Sequence, residues 1–248
     1  EYPHVQGKYE CLCAKDALQI VEETSGNCST LKNHFECNKD WLFGHFSYEF
    51  KNKIEQLSSS HPSHFEFPLV QFFQPKVVCY ILRSSYELVI ESVEENPNDI
   101  WEEIQETKLE NESATSVIVA FKKRIEHEEY LAIIEQLRAH IKQGDCYEIN
   151  FCNESFAENI SINPLHYFQK LNTISKAPFA GFYKVNNQYL LCASPERYVQ
   201  KIGQKITAQP IKGTAKRGTD ETQDESIKQT LLADKKERAE NVMIVDLM

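Results

Sequence analysis

The sequence predicts a chain of mixed α and β elements, and three observations carry that reading. Two apolar runs at residues 77–82 and 86–93 are joined at Ser84-Ser85, the spacing of a hairpin. Strand patterns follow one another at 181–185, 189–193, 197–202 and 205–209, with Asn186-Asn187 and Gly203 at turns. Residues 128–143 place Tyr130, Ile133, Ile134, Leu137 and Ile141 on one helical stripe, and Gly144 is positioned to end it.

Taken in order, the first half reads as strands with polar breaks. Residues 9–13 alternate weakly, and 41–50 is aromatic-rich, with Trp41, Phe43, Phe46, Tyr48 and Phe50. Residues 58–62 form a loop. The acidic stretch 91–112 reads as a solvated surface segment with a short helix around Trp101, and it closes a first region at 1–112. A second region, 113–248, opens with a strand at 116–121 and continues through the 128–143 helix to a strand at 147–151. Asn163-Pro164 then starts a helix with Leu165, Phe168 and Leu171 inward. After the run of strands the tail is helical from Thr222. Asp234 and Glu237 resemble a capping box opening the last helix. Val242, Met243, Ile244, Val245, Leu247 and Met248 make that helix apolar nearly all round, as in a buried helix.

Composition narrows the class. Hydrophobic residues are 41% and charged residues 26%, ordinary for a soluble globular protein. A net charge of −10 argues against a nucleic-acid partner, because phosphates demand a cationic face. No apolar run is long enough to span a membrane, and no signal-peptide pattern opens the sequence. The eight cysteines are scattered, several within apolar strand-like runs. They read as buried, reduced thiols of a cytoplasmic protein.

Three groups could carry chemistry. Lys212 sits between Pro210 and Gly213, a residue that allows close backbone approach. In strand phase it follows Ile206, Ala208 and Pro210, provided the strand survives the proline. It is a surface cation or an amine aimed into a site, where a lowered pKa would make it a nucleophile. Glu196, after Ser194-Pro195, is a general acid or half of a pair with Arg197. Glu240 shares a helical stripe with Met243, Ile244 and Leu247, where a carboxylate needs a partner. A metal ion would serve, as would Lys236 one turn back. Gly213 and Gly218 have the spacing of a phosphate loop, but no lysine follows the second glycine.

Taken together, these residues carry a resemblance. The series Ala193-Ser194-Pro195-Glu196-Arg197, Pro210-Ile211-Lys212-Gly213-Thr214 and Lys236-Glu237-Arg238-Ala239-Glu240-Asn241, running into Met243-Ile244-Val245-Asp246-Leu247, resembles the chorismate-utilising enzymes in order and spacing. Gly144-Asp145-Cys146-Tyr147-Glu148-Ile149-Asn150 resembles that family's G-D-x-Y-Q-x-N segment, with Glu148 where glutamine is common. Trp41-Leu42-Phe43-Gly44 and Ser47-Tyr48 match its N-terminal region. The lysine at 212 is similar to the aminodeoxychorismate synthase component I family, where anthranilate and isochorismate synthases carry alanine.

That resemblance implies an α+β fold, antiparallel sheets in a sandwich with helices outside. It implies a Mg2+-dependent amination of chorismate for p-aminobenzoate and folate biosynthesis, with ammonia from a glutamine amidotransferase subunit. By resemblance Lys212 attacks the chorismate ring at C2, Glu196 protonates the departing C4 hydroxyl, Glu240 is a Mg2+ ligand, and Gly213 and Thr214 contact substrate. Pro178-Phe179-Ala180 matches a segment that lines a tryptophan pocket in some relatives, though the companion L-L-x-S motif is absent. Family members continue past Asp246-Leu247, so the resemblance reads this chain as part of a larger protein. The alternatives are anthranilate synthase component I, or a non-catalytic ligand-binding or subunit-docking protein of the same fold.

Overall fold

The computed structural model describes residues 7–108 and 119–247. The expected boundary at 112/113, residues 116–118 of the expected strand, and Met248 lie outside these residues. The fold is α+β with antiparallel strand pairing throughout the described residues. One compact unit is built from residues 1–107 together with 164–248, and residues 108–163 form a second.

The first unit is organised on β3 (Val70–Leu82), which is paired along both edges. β1 (Tyr9–Glu22) runs the length of one edge. β2 (Phe43–Phe46) and β4 (Leu88–Ser92) share the other, with the β3–β4 hairpin where the serine pair predicts it. Val70, Val77, Val78 and Tyr80 of β3 are buried, as are Val21, Phe50 and Val185. β1 extends far beyond the expected residues 9–13, through Lys15, Asp16 and Gln19. It lies at the edge of the sheet, so polar side chains along it meet water. Exposure also corrects the cysteine expectation: Cys11 and Cys13 on this edge, and Cys37 and Cys152 elsewhere, are exposed, although all eight thiols are free.

Two helices join this sheet. α1 (Ser29–Asn38) is absent from the sequence reading. Its N-cap, Cys28, lies in the left-handed region with no side-chain cap. The orphan N–H groups of its first turn are met from a distance instead: buried Glu23 accepts from the Thr30 amide at 2.9 Å. Its other carboxylate oxygen accepts from the Ser25 hydroxyl at 2.6 Å and the Ser25 amide at 3.1 Å. After α2 (Lys51–Ile54) and the expected loop, α3 (Pro97–Glu106) forms around Trp101, with the Asn96 side chain accepting from the Asn98 amide.

The hydrogen bonds from Ser25, then that from Thr30, hold the Glu23 carboxyl down to about 2, against an ordinary 4.5. A depressed carboxyl stabilises the fold fully above pH 4.5, and that contribution is lost as pH falls toward 2. Glu23→Gln is therefore expected to melt several degrees below wild type near neutrality. The gap in Tm should narrow between pH 4.5 and 2. Melts across that range check it; a gap independent of pH contradicts it.

The second unit pairs β5 (Lys122–Lys123) with β6 (Ser155–Phe156). α4 (His127–Gln143) half-buries Tyr130, Ile133, Ile134 and Leu137, and the Gly144 amide closes it onto Ile141 at 3.1 Å. Ile141, expected on that stripe, is 41% exposed. Among the described residues, 119–121 of one expected strand and all of another, 147–151, carry no strand. Phe121 is exposed and outside any ladder, and residues 147–151 are irregular. The Asn153 side chain accounts for part of this. It accepts from the Ile125 amide at 3.2 Å and donates to the Ile125 carbonyl at 2.9 Å, so a side chain takes the place of the next ladder pair.

The first unit resumes with α5 (Pro164–Ser175), then β7 (Phe179–Val185) paired with β8 (Gln188–Ser194), and β9 (Arg197–Ile202) paired with β10 (Lys205–Gln209). All four strands and both turns fall where the sequence places them, and Pro195 separates the two hairpins. On α5, Phe168 and Leu171 are half-buried but Leu165 is 48% exposed, a correction to the inward set. The β7–β8 hairpin is tied to the larger sheet through Tyr183. Burial pushes its hydroxyl pKa up, and it lies 3.1 Å from His45 Nδ1. His45 Nε2 lies 2.9 Å from the Pro68 carbonyl, which can only accept, so Nε2 donates there. The chain then runs into α6 (Glu221–Ala233) and α7 (Lys235–Leu247).

Candidate active site

The strand that carries Lys212 toward its site ends early. β10 stops at Gln209, because Pro210 has no N–H to donate and breaks the ladder. The expected apolar face is also reversed: Ile206 is 67% exposed and Ala208 is exposed, while Thr207 and Gln209 turn inward. Lys212 is thus positioned by the segment after the strand. Gly213 takes a φ of +80°, a conformation that favours glycine, and redirects the chain there. A Cβ at Gly213 would stand 3.2 Å from Glu237 Oε2, so the segment is packed directly on α7.

The start of α7 is built for that contact. Asp234 caps it as predicted, accepting from the Lys236 amide at 2.8 Å and the Glu237 amide at 3.0 Å. The reciprocal half of the capping box is not made, for Glu237 turns toward Gly213 and meets Lys236 at 3.6 Å. One turn on, Glu240 Oε1 lies 3.2 Å from Lys212 Nζ, with the two side chains 31% and 27% exposed. Of the two partners the sequence offered Glu240, a metal ion or Lys236, the lysine is not the one that pairs with it; Lys212 is. Met243 and Ile244 of the same stripe are half-buried. Val242, Val245 and Leu247 are exposed, so α7 is amphipathic within this chain rather than buried all round.

Glu196 meets the same post-strand segment at Ile211. It lies in the bend between β8 and β9, where Ser194 Oγ accepts from the Glu196 amide at 3.2 Å and donates to the Glu196 carbonyl at 3.0 Å. Its side chain is exposed, and Oε1 accepts from the Ile211 amide at 3.2 Å, next to Lys212. Arg197 is turned elsewhere: its Nε donates to Gln209 at 2.8 Å, and its guanidinium lies 4.8 Å over the Phe179 ring. Glu196, Lys212, Gly213 and Glu240 thus converge from a strand junction, a post-strand segment and a helix. Thr214 follows on the same segment, exposed. Glu237, read from sequence only as a cap, is the carboxylate that faces the glycine; its offset of three residues from Glu240 on one helical face was the available signal.

The rest of 213–219 does not form a phosphate cradle. The Gly218 amide donates to Asp224 at 2.8 Å and the Thr219 amide to Gln223 at 2.7 Å. The Arg217 guanidinium grips the same Asp224 and holds its carboxyl below the usual range. Pro178 and Ala180 line a cleft of about 1660 Å³ whose opposite wall is β1. Phe179 sits between them in the chain, beneath Arg197.

A magnesium ion takes hard oxygen ligands, commonly one or two carboxylates with water and substrate oxygens completing the shell. No group of three or more His, Cys, Asp or Glu assembled for a metal occurs among the described residues. Glu240, partly exposed and beside the candidate nucleophile, fits a site of the one-carboxylate kind.

The class of protein follows from comparison. The fold is that of a solved anthranilate synthase component I from Streptococcus pneumoniae, at a TM-score of 0.80 and 20% identity over 98% of this chain and 61% of that one. The sequence pattern of the chorismate binding enzymes matches residues 5–248, and the chain belongs to that family. Aminodeoxychorismate synthase component 1 of Klebsiella aerogenes is 28% identical over 98% of this chain and 54% of that protein. Anthranilate synthase component 1 of Cereibacter sphaeroides is 25% identical over 83% of this chain and 45% of its own length. The chain spans about half the length of these curated relatives. No helix among the described residues is long and apolar enough to cross a membrane.

Proposed function

We propose that this chain carries the amination site of an aminodeoxychorismate synthase component 1, turning chorismate and ammonia into 4-amino-4-deoxychorismate and water. The observation behind this choice is Lys212, a lysine where anthranilate synthases are expected to carry alanine, held at 3.2 Å from Glu240 and one residue from the amide that Glu196 accepts. Once off the Glu240 carboxylate and deprotonated, the neutral Lys212 amine forms a bond from Nζ to C2 of the ring as the double bond shifts and the C4–O bond breaks. Glu196 gives that oxygen a proton, because hydroxide leaves poorly without one. Ammonia then adds at C4, the double bond returns, and the C2–N bond breaks to free the lysine. The proton that the added ammonia sheds restores Glu196. Splitting one hard displacement into two is the gain from a covalent intermediate. Glu240 would hold Mg2+, which when bound neutralises a substrate carboxylate. Gly213 and Thr214 line the substrate, ammonia is delivered by a glutamine amidotransferase subunit, and the product feeds p-aminobenzoate and folate synthesis in the cytoplasm.

The anthranilate synthase names among the relatives support a second reading, anthranilate synthase component I. One experiment separates them. The protein as its gene encodes it is incubated with chorismate, an ammonium salt and Mg2+, and the products are resolved by mass. Aminodeoxychorismate is expected. Anthranilate would establish the second reading, and chorismate binding with no amino product would leave a binding protein.

A further inference from the structure

We propose that Lys212 and a divalent cation compete for the Glu240 carboxylate, so that the ion pair is a resting latch which the cation opens. The inference rests on the reading of Glu240 given above and adds a regulation of that same site. Its basis is geometric. Lys212 Nζ stands 3.2 Å from Glu240 Oε1, with each side chain about a third exposed. A dication on this carboxylate would stand within one carboxylate's width of the ammonium. In a partly desolvated setting, like charges that close repel strongly. A carboxylate shared between a monovalent and a divalent cation therefore favours one occupant at a time.

The two partners of the pair sit on different kinds of element. Glu240 is fixed on α7, whose start is capped by Asp234. Lys212 sits on an irregular segment beyond the end of β10, next to the left-handed Gly213. On cation binding the lysine swings away from Glu240 and becomes available to the ring. Without the cation the same amine is held on a carboxylate and cannot reach substrate. The device keeps the nucleophile sequestered until the metal is in place.

The test is a binding measurement, independent of turnover. Calorimetry with MgCl2 is run on the wild-type protein as its gene encodes it, and on Lys212→Met, Lys236→Met, Glu240→Gln and Lys212→Met/Glu240→Gln, each checked for folding by circular dichroism. Lys236 is the charge control, because it lies one turn from Glu240 on the same helix and pairs with Glu237 instead. Lys212→Met should tighten Mg2+ binding about tenfold, Lys236→Met by less than about twofold, and the gain should vanish in the Glu240→Gln background. Lys212→Gln serves if the methionine variant does not fold. Equal gains from the two lysine variants, a gain that persists without Glu240, no gain, or no Mg2+ binding by any variant would each overturn the latch. The product assay above is unaffected by these outcomes, so the latch and the assigned reaction stand or fall separately.

Discussion

Alanine at position 212 is expected to lower aminodeoxychorismate formation by about 10³-fold or more, on the order of 4 kcal/mol of transition-state stabilisation, while leaving the fold intact. The effect is large because the lysine is assigned a bond-forming role that no neighbouring side chain duplicates. The fold should survive because Lys212 lies beyond the last ladder pair of β10, outside the backbone pairing of either hairpin. Its loss leaves Glu240 without the Lys212 ion pair, but that carboxylate is 31% exposed and water can solvate it. Steady-state kcat/KM and a thermal melt on the same preparation check both halves. A variant that melts like wild type and retains a rate within tenfold makes Lys212 a bystander.

Glutamine at position 196 should cost about 10² to 10⁴ in rate, the usual worth of a positioned general acid. This substitution separates two roles that the geometry allows. The Glu196 carboxylate accepts a hydrogen bond from the Ile211 amide, and a glutamine carbonyl oxygen can accept it equally well. Glutamine cannot deliver a proton to the departing hydroxyl. If Glu196 only braces the Lys212 segment, Glu196→Gln will be close to wild type while Glu196→Ala, which loses the acceptor as well, will be impaired. If Glu196 is the acid, both variants are slow. Wild-type turnover by the glutamine variant would remove the acid from the scheme.

What was legible in the sequence was what local chemistry controls. The β3–β4 hairpin is set by two apolar runs and a serine pair, β7–β8 by its asparagine turn, α4 by its stripe and Gly144, and α7 by the Asp234 cap. Each of these signals acts over a few residues. The misses involve partners distant in sequence. α1 is capped by Glu23, seven residues before Thr30, and presents no local cap to read. β1 runs on through polar residues because an edge strand tolerates them. Residues 147–151 have strand-like side chains, but a strand also needs a ladder, and the Asn153 amide closes that edge.

The candidate site divides in the same way. Its members were visible as residue types at family spacing, and Gly213 was marked as special. The readings that the fold turned aside concerned geometry: a strand phase conditional on the strand surviving Pro210, and Lys236 as the alternative to a metal ion beside Glu240. The first extended a strand's periodicity past Gln209, where β10 stops; the second kept to α7, where Lys236 meets Glu237 instead. A post-strand segment has no period to extrapolate, so the approach of Lys212 to Glu240 could only come from the folded chain.

The covalent role of Lys212 is the central claim, and one measurement addresses it directly. The protein as its gene encodes it is mixed with chorismate and Mg2+ in the absence of any ammonia source, quenched, digested and analysed by mass spectrometry. The account predicts a chorismate-derived adduct, formed with loss of water, on the peptide that contains Lys212, and its absence from Lys212→Ala. An adduct that persists in Lys212→Ala, or a wild-type protein that makes aminodeoxychorismate when ammonia is added yet never carries the adduct, would contradict it.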